Sequence, residues 1–199
     1  QVLCALGHLD VETLVVTGRG RLVARIYSEL DLVAAEALLE GVFDELDEAQ
    51  LAAVISSLVY EPRRSDGGRR VRMPDRGSEQ AQSRLRNLWL EVTRLERDHR
   101  LDRSPEPDIG FAEAAHAWAE GAHLADALEL CQLPAGDFVR WIRQVADMAG
   151  QLATAAAMRV QLLTAEGTDP GAADELPRRL RVLVDELRRG VVDFDPDEE

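Results

Sequence analysis

The sequence predicts a mainly α fold: a multi-helix bundle with a short N-terminal β-hairpin. Three observations carry this. Apolar residues recur at helical spacing through most of the chain after Ser28, most regularly in the stretch 136–157. The composition, 46% hydrophobic but only 5% aromatic, is that of aliphatic helix formers. A β-rich alternating pattern is confined to residues 11–26, on either side of a glycine turn.

Taken in order, Val2 to Leu9 reads as the end of a helix turning at Gly7. Val11–Val16 (VETLVV) and Arg21–Ile26 flank Thr17-Gly18-Arg19-Gly20, whose two glycines suit a turn with positive φ. Together they predict a hairpin, the shape of a winged-helix wing. Ser28 is placed to cap a helix from Glu29 to Glu40, with Gly41 as its left-handed stop. Asp47 caps the next helix, whose apolar stripe is Leu51, Val54, Ile55, Leu58 and Val59. Arg63–Arg76 is a loop with six Arg against two Asp, Asp66 and Asp75. A long helix is predicted from about Ser78 to Leu101, then shorter ones over Phe111–Glu120 and Leu124–Leu130. Glu175–Arg189 is the last helix, and the acidic tail after Gly190 is expected to fray.

The organising element is GDFVRWIRQVADMAGQLATAA. At 100° per residue, Phe138, Ile142, Val145, Ala149, Leu152 and Ala156 share one side. Arg140, Arg143, Gln144, Asp147, Gln151 and Thr154 share the other. Asp137 is placed to cap the first turn. Guanidinium, amide and carboxylate groups in one row can donate to phosphate oxygens and meet base edges. An ordinary solvated face is the plainer reading of the same row. Gly150, costly inside a helix, suggests that another backbone or a ligand comes close, and a close helix crossing is the simpler of the two. Trp118, in the segment WAEG, is read as a packed indole closing its helix.

All 23 basic residues are Arg, and the net charge is −14. Residues 1–60 hold 3 Arg against 10 acids, 61–103 hold 12 against 8, and 104–199 hold 8 against 19. A polyanion would therefore be met locally and not by the whole surface. Arg63, Arg64, Arg69 and Arg70 are a second candidate for phosphate contact, beside the reading of their loop as a solvated insertion. Cys4 and Cys131 follow no disulfide or zinc spacing and read as reduced core residues of a cytoplasmic protein. No apolar run approaches a membrane span. The chain opens on Gln1 within an apolar segment, as expected of a piece of something longer.

Without lysine there can be no GxxxxGK[ST] phosphate loop, and no Asp-Glu-x-His box or serine elbow occurs. The chain alone therefore offers no motif for ATP, Mg or catalysis. Glu96-x-x-His99 and Glu113-x-x-His116 have the spacing of di-iron bundles, but only 17 residues separate them, across a Pro-containing break. His99 reads more simply as solvated and His116 as partly buried.

Six ordered blocks carry a resemblance: GRLVARI (20–26), LLEGVFDEL (38–46), LAAVIS (51–56), WAEG (118–121), GDFVR (136–140) and RRGVV (188–192). Together they resemble the DSHCT domain, the C-terminal helical region of DExH-box RNA helicases that feed the exosome, most closely the actinobacterial HelY type. The resemblance implies an ATP-dependent superfamily-two parent in which two RecA-like domains bind ATP and Mg. Residues 1–24 would end a winged-helix domain, 25–192 form the bundle and 193–199 the acidic tail. It also implies a ratchet-like helix along the exiting single strand of RNA or DNA. That carries the contact role onto Arg140, Arg143, Gln144 and Asp147, with Gln151 next along the same face. Eukaryotic members tend to have a second Arg and a Glu where this chain has Gln144 and Asp147. The expected partners are the strand and the helicase core of the same polypeptide, without a membrane, and the fragment is expected to be a monomer. The alternative is a helical scaffold docking an RNA-processing partner.

Overall fold

The N-terminal segment departs most from these expectations. In the computed structural model, which describes residues 1–62 and 71–193, Val2–Ala5 forms one helical turn (α1) and Gly18–Val23 a short helix (α2). Between them, a single antiparallel bridge joins Leu9 and Val16. The β-hairpin expected over 11–26 is therefore not formed, and no strand occurs among the described residues.

Two side chains override the alternation. Asp10 Oδ1 accepts from the Glu12 and Thr13 N–H groups and the Thr13 hydroxyl, turning the chain where a strand would extend. Thr17 Oγ1 accepts from the Gly20 N–H at 3.1 Å and caps α2. Gly18 and Gly20 thus lie inside a helix and not in a positive-φ turn. Gly20 answers a different need, because an added Cβ would collide with the His8 carbonyl oxygen.

From here the helical reading holds. Asp31–Leu39 (α3) starts two residues later than expected, so its N-cap is Leu30 and Ser28 does not cap it but accepts from the Leu30 N–H at 3.2 Å; the chain leaves it through Gly41 at φ +69°. Val33 to Leu38 are all buried, as suits a helix apolar on every side. Its one buried charge, Glu36, lies 3.0 Å from His8 and 3.2 Å from Arg19. Glu48–Ser56 (α4) opens on a reciprocal Asp47–Gln50 capping box. Arg76–Asp98 (α5) is capped by Asp75, which accepts from the Ser78 N–H and hydroxyl and the Gln50 amide. Burial pushes the Asp75 carboxyl up, but these bonds outweigh it and hold its pKa below the ordinary value. Arg63, Arg64, Arg69 and Arg70 lie outside the described residues, as does the tail after Asp193.

A 3₁₀ turn at Ile109–Phe111 leads into Ala112–Ala119 (α6), followed by Leu124–Cys131 (α7). The central helix, Ala135–Ala165 (α8), is longer than expected, 31 residues. No breaker interrupts its period before Gly167. Its N-cap is Pro134, so Asp137 does not cap it but sits in the first turn, where a carboxylate suits the positive end of the dipole. Leu176–Leu187 (α9) runs along α8, and Gly190–Val192 closes the described chain in a 3₁₀ turn that buries Val192.

The six residues expected on the buried side of α8 are all buried. The helix as a whole packs chiefly on α9, α4 and α2, with smaller contributions from α3 and α7. Aromatic rings anchor the first turns of α8. Phe138 lies 5.7 Å from Phe111 and 5.3 Å from Trp118, and Tyr60 packs edge-on to Trp141 at 5.2 Å. Further along, Arg159 pairs with Asp44 at 2.6 and 2.9 Å, tying α8 to the loop after α3. Arg179 of α9 donates to the Asp44 and Leu46 carbonyls of the same loop. No helix among the described residues is long and apolar enough to cross a membrane.

Candidate nucleic-acid interface

With its apolar sides covered, α8 leaves one polar face open. Arg140, Arg143, Gln144, Asp147 and Thr154 are exposed, and Gln151 is half-buried. From Arg140 to Thr154 the row rises roughly 21 Å along the helix axis, at about 1.5 Å per residue. It is open but not idle. The Arg140 guanidinium lies 4.4 Å from the centre of the Trp141 ring, and 3.9 Å from Asp137. Arg143 Nε donates to the Val192 carbonyl at 3.0 Å. Asp147 accepts from Arg188 at 3.1 Å. Gln151 Oε1 accepts from the Tyr27 N–H at 2.7 Å, fixing the approach to α3. The Thr154 hydroxyl turns back to the Gly150 carbonyl at 3.2 Å.

The two flanks of the row differ in charge. Toward α3 and α4 lies a cleft of about 330 Å³ walled by Glu29, Glu61 and Glu106, with Asp147, Gln144 and Gln151 on its α8 side. Four carboxylates line it and, among the described residues, no Arg does, although Glu106 pairs with Arg86 at 3.1 Å and Asp147 with Arg188 at 3.1 Å from outside the lining. Toward α9 runs a shallower groove lined by Arg25, Gly150, Thr154 and Arg188. It continues into a depression shared by Arg143, Arg188 and Asp193. The Arg188–Asp147 pair at its centre has side chains 53% and 61% exposed. Such a pair is worth about 0–1 kcal/mol at most, so another anion can displace the carboxylate at little cost.

Arg25 and Arg188 were not legible as site residues, because one follows α2 and the other ends α9. The adjacent arginines 188 and 189 divide their tasks. Arg188 faces the groove, while Arg189 sits 3.6 Å from the centre of the Trp118 ring and donates to the Trp118 and Ala122 carbonyls at 2.7 and 2.8 Å. Burial lowers the Arg189 pKa from its ordinary value, yet a guanidinium stays charged at neutral pH. Trp118 is packed as expected, its Nε1 donating to the Leu187 carbonyl at 3.0 Å. Gly150 is a correction. An added Cβ would meet nothing within 4 Å, so no helix crossing requires it.

The Glu-x-x-His units tie elements together. Glu96 accepts from the Ser104 N–H at 2.8 Å and from its hydroxyl. His116 stands between Asp75 at 3.4 Å and Glu120 at 3.2 Å, and Glu113 pairs with Arg72 at 3.0 Å.

The family model of the DSHCT (NUC185) domain matches residues 13–195. Probable helicase HelY of Mycobacterium tuberculosis is similar, 38% identical over 195 residues that make up 91% of this chain and 19% of that protein. Its Mycobacterium leprae counterpart is also 38% identical, over 90% of this chain and 19% of its own length. DExH-box ATP-dependent RNA helicase DExH11 of Arabidopsis thaliana is 26% identical over 79% of this chain and 12% of its own. The chain therefore spans only 19% of the length of the HelY relatives.

Proposed function

The chain belongs to the DSHCT (NUC185) domain family, and from that premise we propose that it is the C-terminal accessory domain of an ATP-dependent DExH-box helicase. In this reading α8 is its ratchet-like helix. The row Arg140, Arg143, Gln144, Asp147 and Gln151 contacts a single strand of RNA or DNA. ATP and Mg belong to the core of the parent, and this domain contributes grip without catalysis. Residues 1–24 lead in from a winged-helix domain, and the protein works in the cytoplasm.

The observation that carries the reading is that the longest helix buries its apolar side from Phe138 to Ala156 and leaves a hydrogen-bonding face open beside it. Guanidinium and amide groups suit base-tolerant contact with backbone and exposed edges. The bulk charge of −14 opposes binding elsewhere, so the isolated domain binds a strand weakly.

The test is Arg140→Ala with Arg143→Ala in the complete polypeptide. Charge-assisted hydrogen bonds are worth about 1.5–3 kcal/mol each, so unwinding should fall at least tenfold while nucleotide binding is kept. Arg143 also holds the Val192 carbonyl, whereas Arg140 makes only the exposed contacts to Trp141 and Asp137, so Arg140→Ala alone is the milder companion and should show part of the loss. Unchanged unwinding in the double variant would contradict the reading.

The scaffold reading draws on one specific observation. Val11, Leu14 and Val15 are 72%, 65% and 63% exposed in a single loop, an apolar surface that a docking partner would cover.

A further inference from the structure

The two flanks of the open row are electrostatically unlike, and this bears on where a strand would lie. On the α3 side, Glu29, Glu61, Glu106 and Asp147 surround the deeper cleft. On the α9 side, Arg25, Arg188 and Arg143 line a continuous shallow groove against Asp147 and Asp193. A sugar–phosphate backbone carries a negative charge at every nucleotide, so the cleft, where Glu29 and Glu61 stand without an Arg partner among the described residues, disfavours it more than the groove, where three Arg face two Asp.

Resting on the strand-binding reading above, we infer that the backbone of the bound strand runs along the α9 side of α8, its phosphates held by Arg25 and Arg188 together with Arg143, over a floor kept open by Gly150.

Three features fit a phosphate track. Among the described residues the Arg25 side chain has no hydrogen bond or ion pair, and it is exposed. Arg188 is held in the groove by an exposed carboxylate, Asp147, at 3.1 Å, and a phosphate can take that place with two parallel N–H···O bonds. Gly150 lies in the same groove, and space lies where its side chain would be. The helix would be more stable with almost any other residue there, yet a longer side chain would stand in the track. Asp147 then acts as a placeholder that orients Arg188 until the strand arrives, and the bases lean toward Gln144 and Gln151.

The experiment measures binding of a labelled oligouridylate to the complete polypeptide by fluorescence anisotropy across a salt series. Arg25→Ala with Arg188→Ala should weaken binding roughly tenfold and reduce the slope of log K against log salt by about 1.4, two contacts at about 0.7 each for a single strand. Gly150→Leu removes no charge and should keep or raise the thermal midpoint, yet weaken binding several-fold. Glu29→Gln with Glu106→Gln, on the opposite flank, should leave affinity and slope unchanged.

If the Arg25/Arg188 and Gly150 variants bind as well as the parent while Arg140→Ala with Arg143→Ala weakens binding, the track is wrong and the strand-binding reading survives. Tighter binding by the Glu29/Glu106 variant would place the backbone in the deeper cleft and also overturn the track. If neither arginine pair alters binding, the strand-binding reading falls with it.

Discussion

Phe138→Ala is expected to destabilise the bundle by about 3–5 kcal/mol, the range for truncating a buried phenylalanine in a core that cannot collapse around the gap. Phe138 is wholly buried, with Phe111 and Trp118 against its ring. Phe111 leads into α6 and Trp118 lies near its end, so one ring joins the start of α8 to both ends of α6. Trp118 in turn reaches α9 through the Leu187 carbonyl and carries Arg189 on its face. The cavity should loosen the first turns of α8, the part that presents Arg140 and Arg143. Urea denaturation of the chain should show the loss as a lower midpoint. A loss under about 0.5 kcal/mol, within the range of a surface change, would mean that the ring cluster is not what anchors α8.

Arg159→Met is expected to cost about 3–5 kcal/mol, because it leaves the Asp44 carboxylate unpaired in a largely enclosed site. The two side chains are only 11% and 16% exposed, and the guanidinium meets both carboxylate oxygens. Asp44→Leu should cost a similar amount for the converse reason. The double variant should be more stable than either single one, since replacing a buried pair with apolar groups of similar size removes the charges together. The comparison needs only three denaturation midpoints against the parent. Additive losses in the double variant would show that the pair contributes by packing and not by mutual neutralisation.

The parts of the fold that repetition encodes were legible in the sequence. The buried and open sides of α8 follow from a 3.6-residue period sustained over many turns, and the Asp47 cap from a carboxylate three residues before Gln50. The N-terminal segment was not legible, because its outcome depends on single side chains. The residues VETLVV alternate well enough for a strand, but the Asp10 carboxylate closes a turn across them. Thr17 before two glycines suits a turn as well as a helix cap, and the choice rests on the Gly7 and His8 carbonyls that accept from its hydroxyl.

The candidate site was legible to the same degree. Residues sharing one helix face could be grouped from spacing alone. Arg25 and Arg188 come together only through the packing of α2 and α9 on α8, which no local pattern records. Gly150 could be recognised as costly, but the open space above it belongs to the tertiary structure. The difference in charge between the two flanks likewise arises from Glu29, Glu61 and Glu106, contributed by three separate segments.

Strand contact by α8 is tested most directly by photocrosslinking a 4-thiouridine single strand to the complete polypeptide and mapping the labelled peptides by mass spectrometry. Crosslinks within residues 136–157, centred on the row from Arg140 to Gln151, are the expected result. Labelling of other segments with none in 136–157 would contradict it.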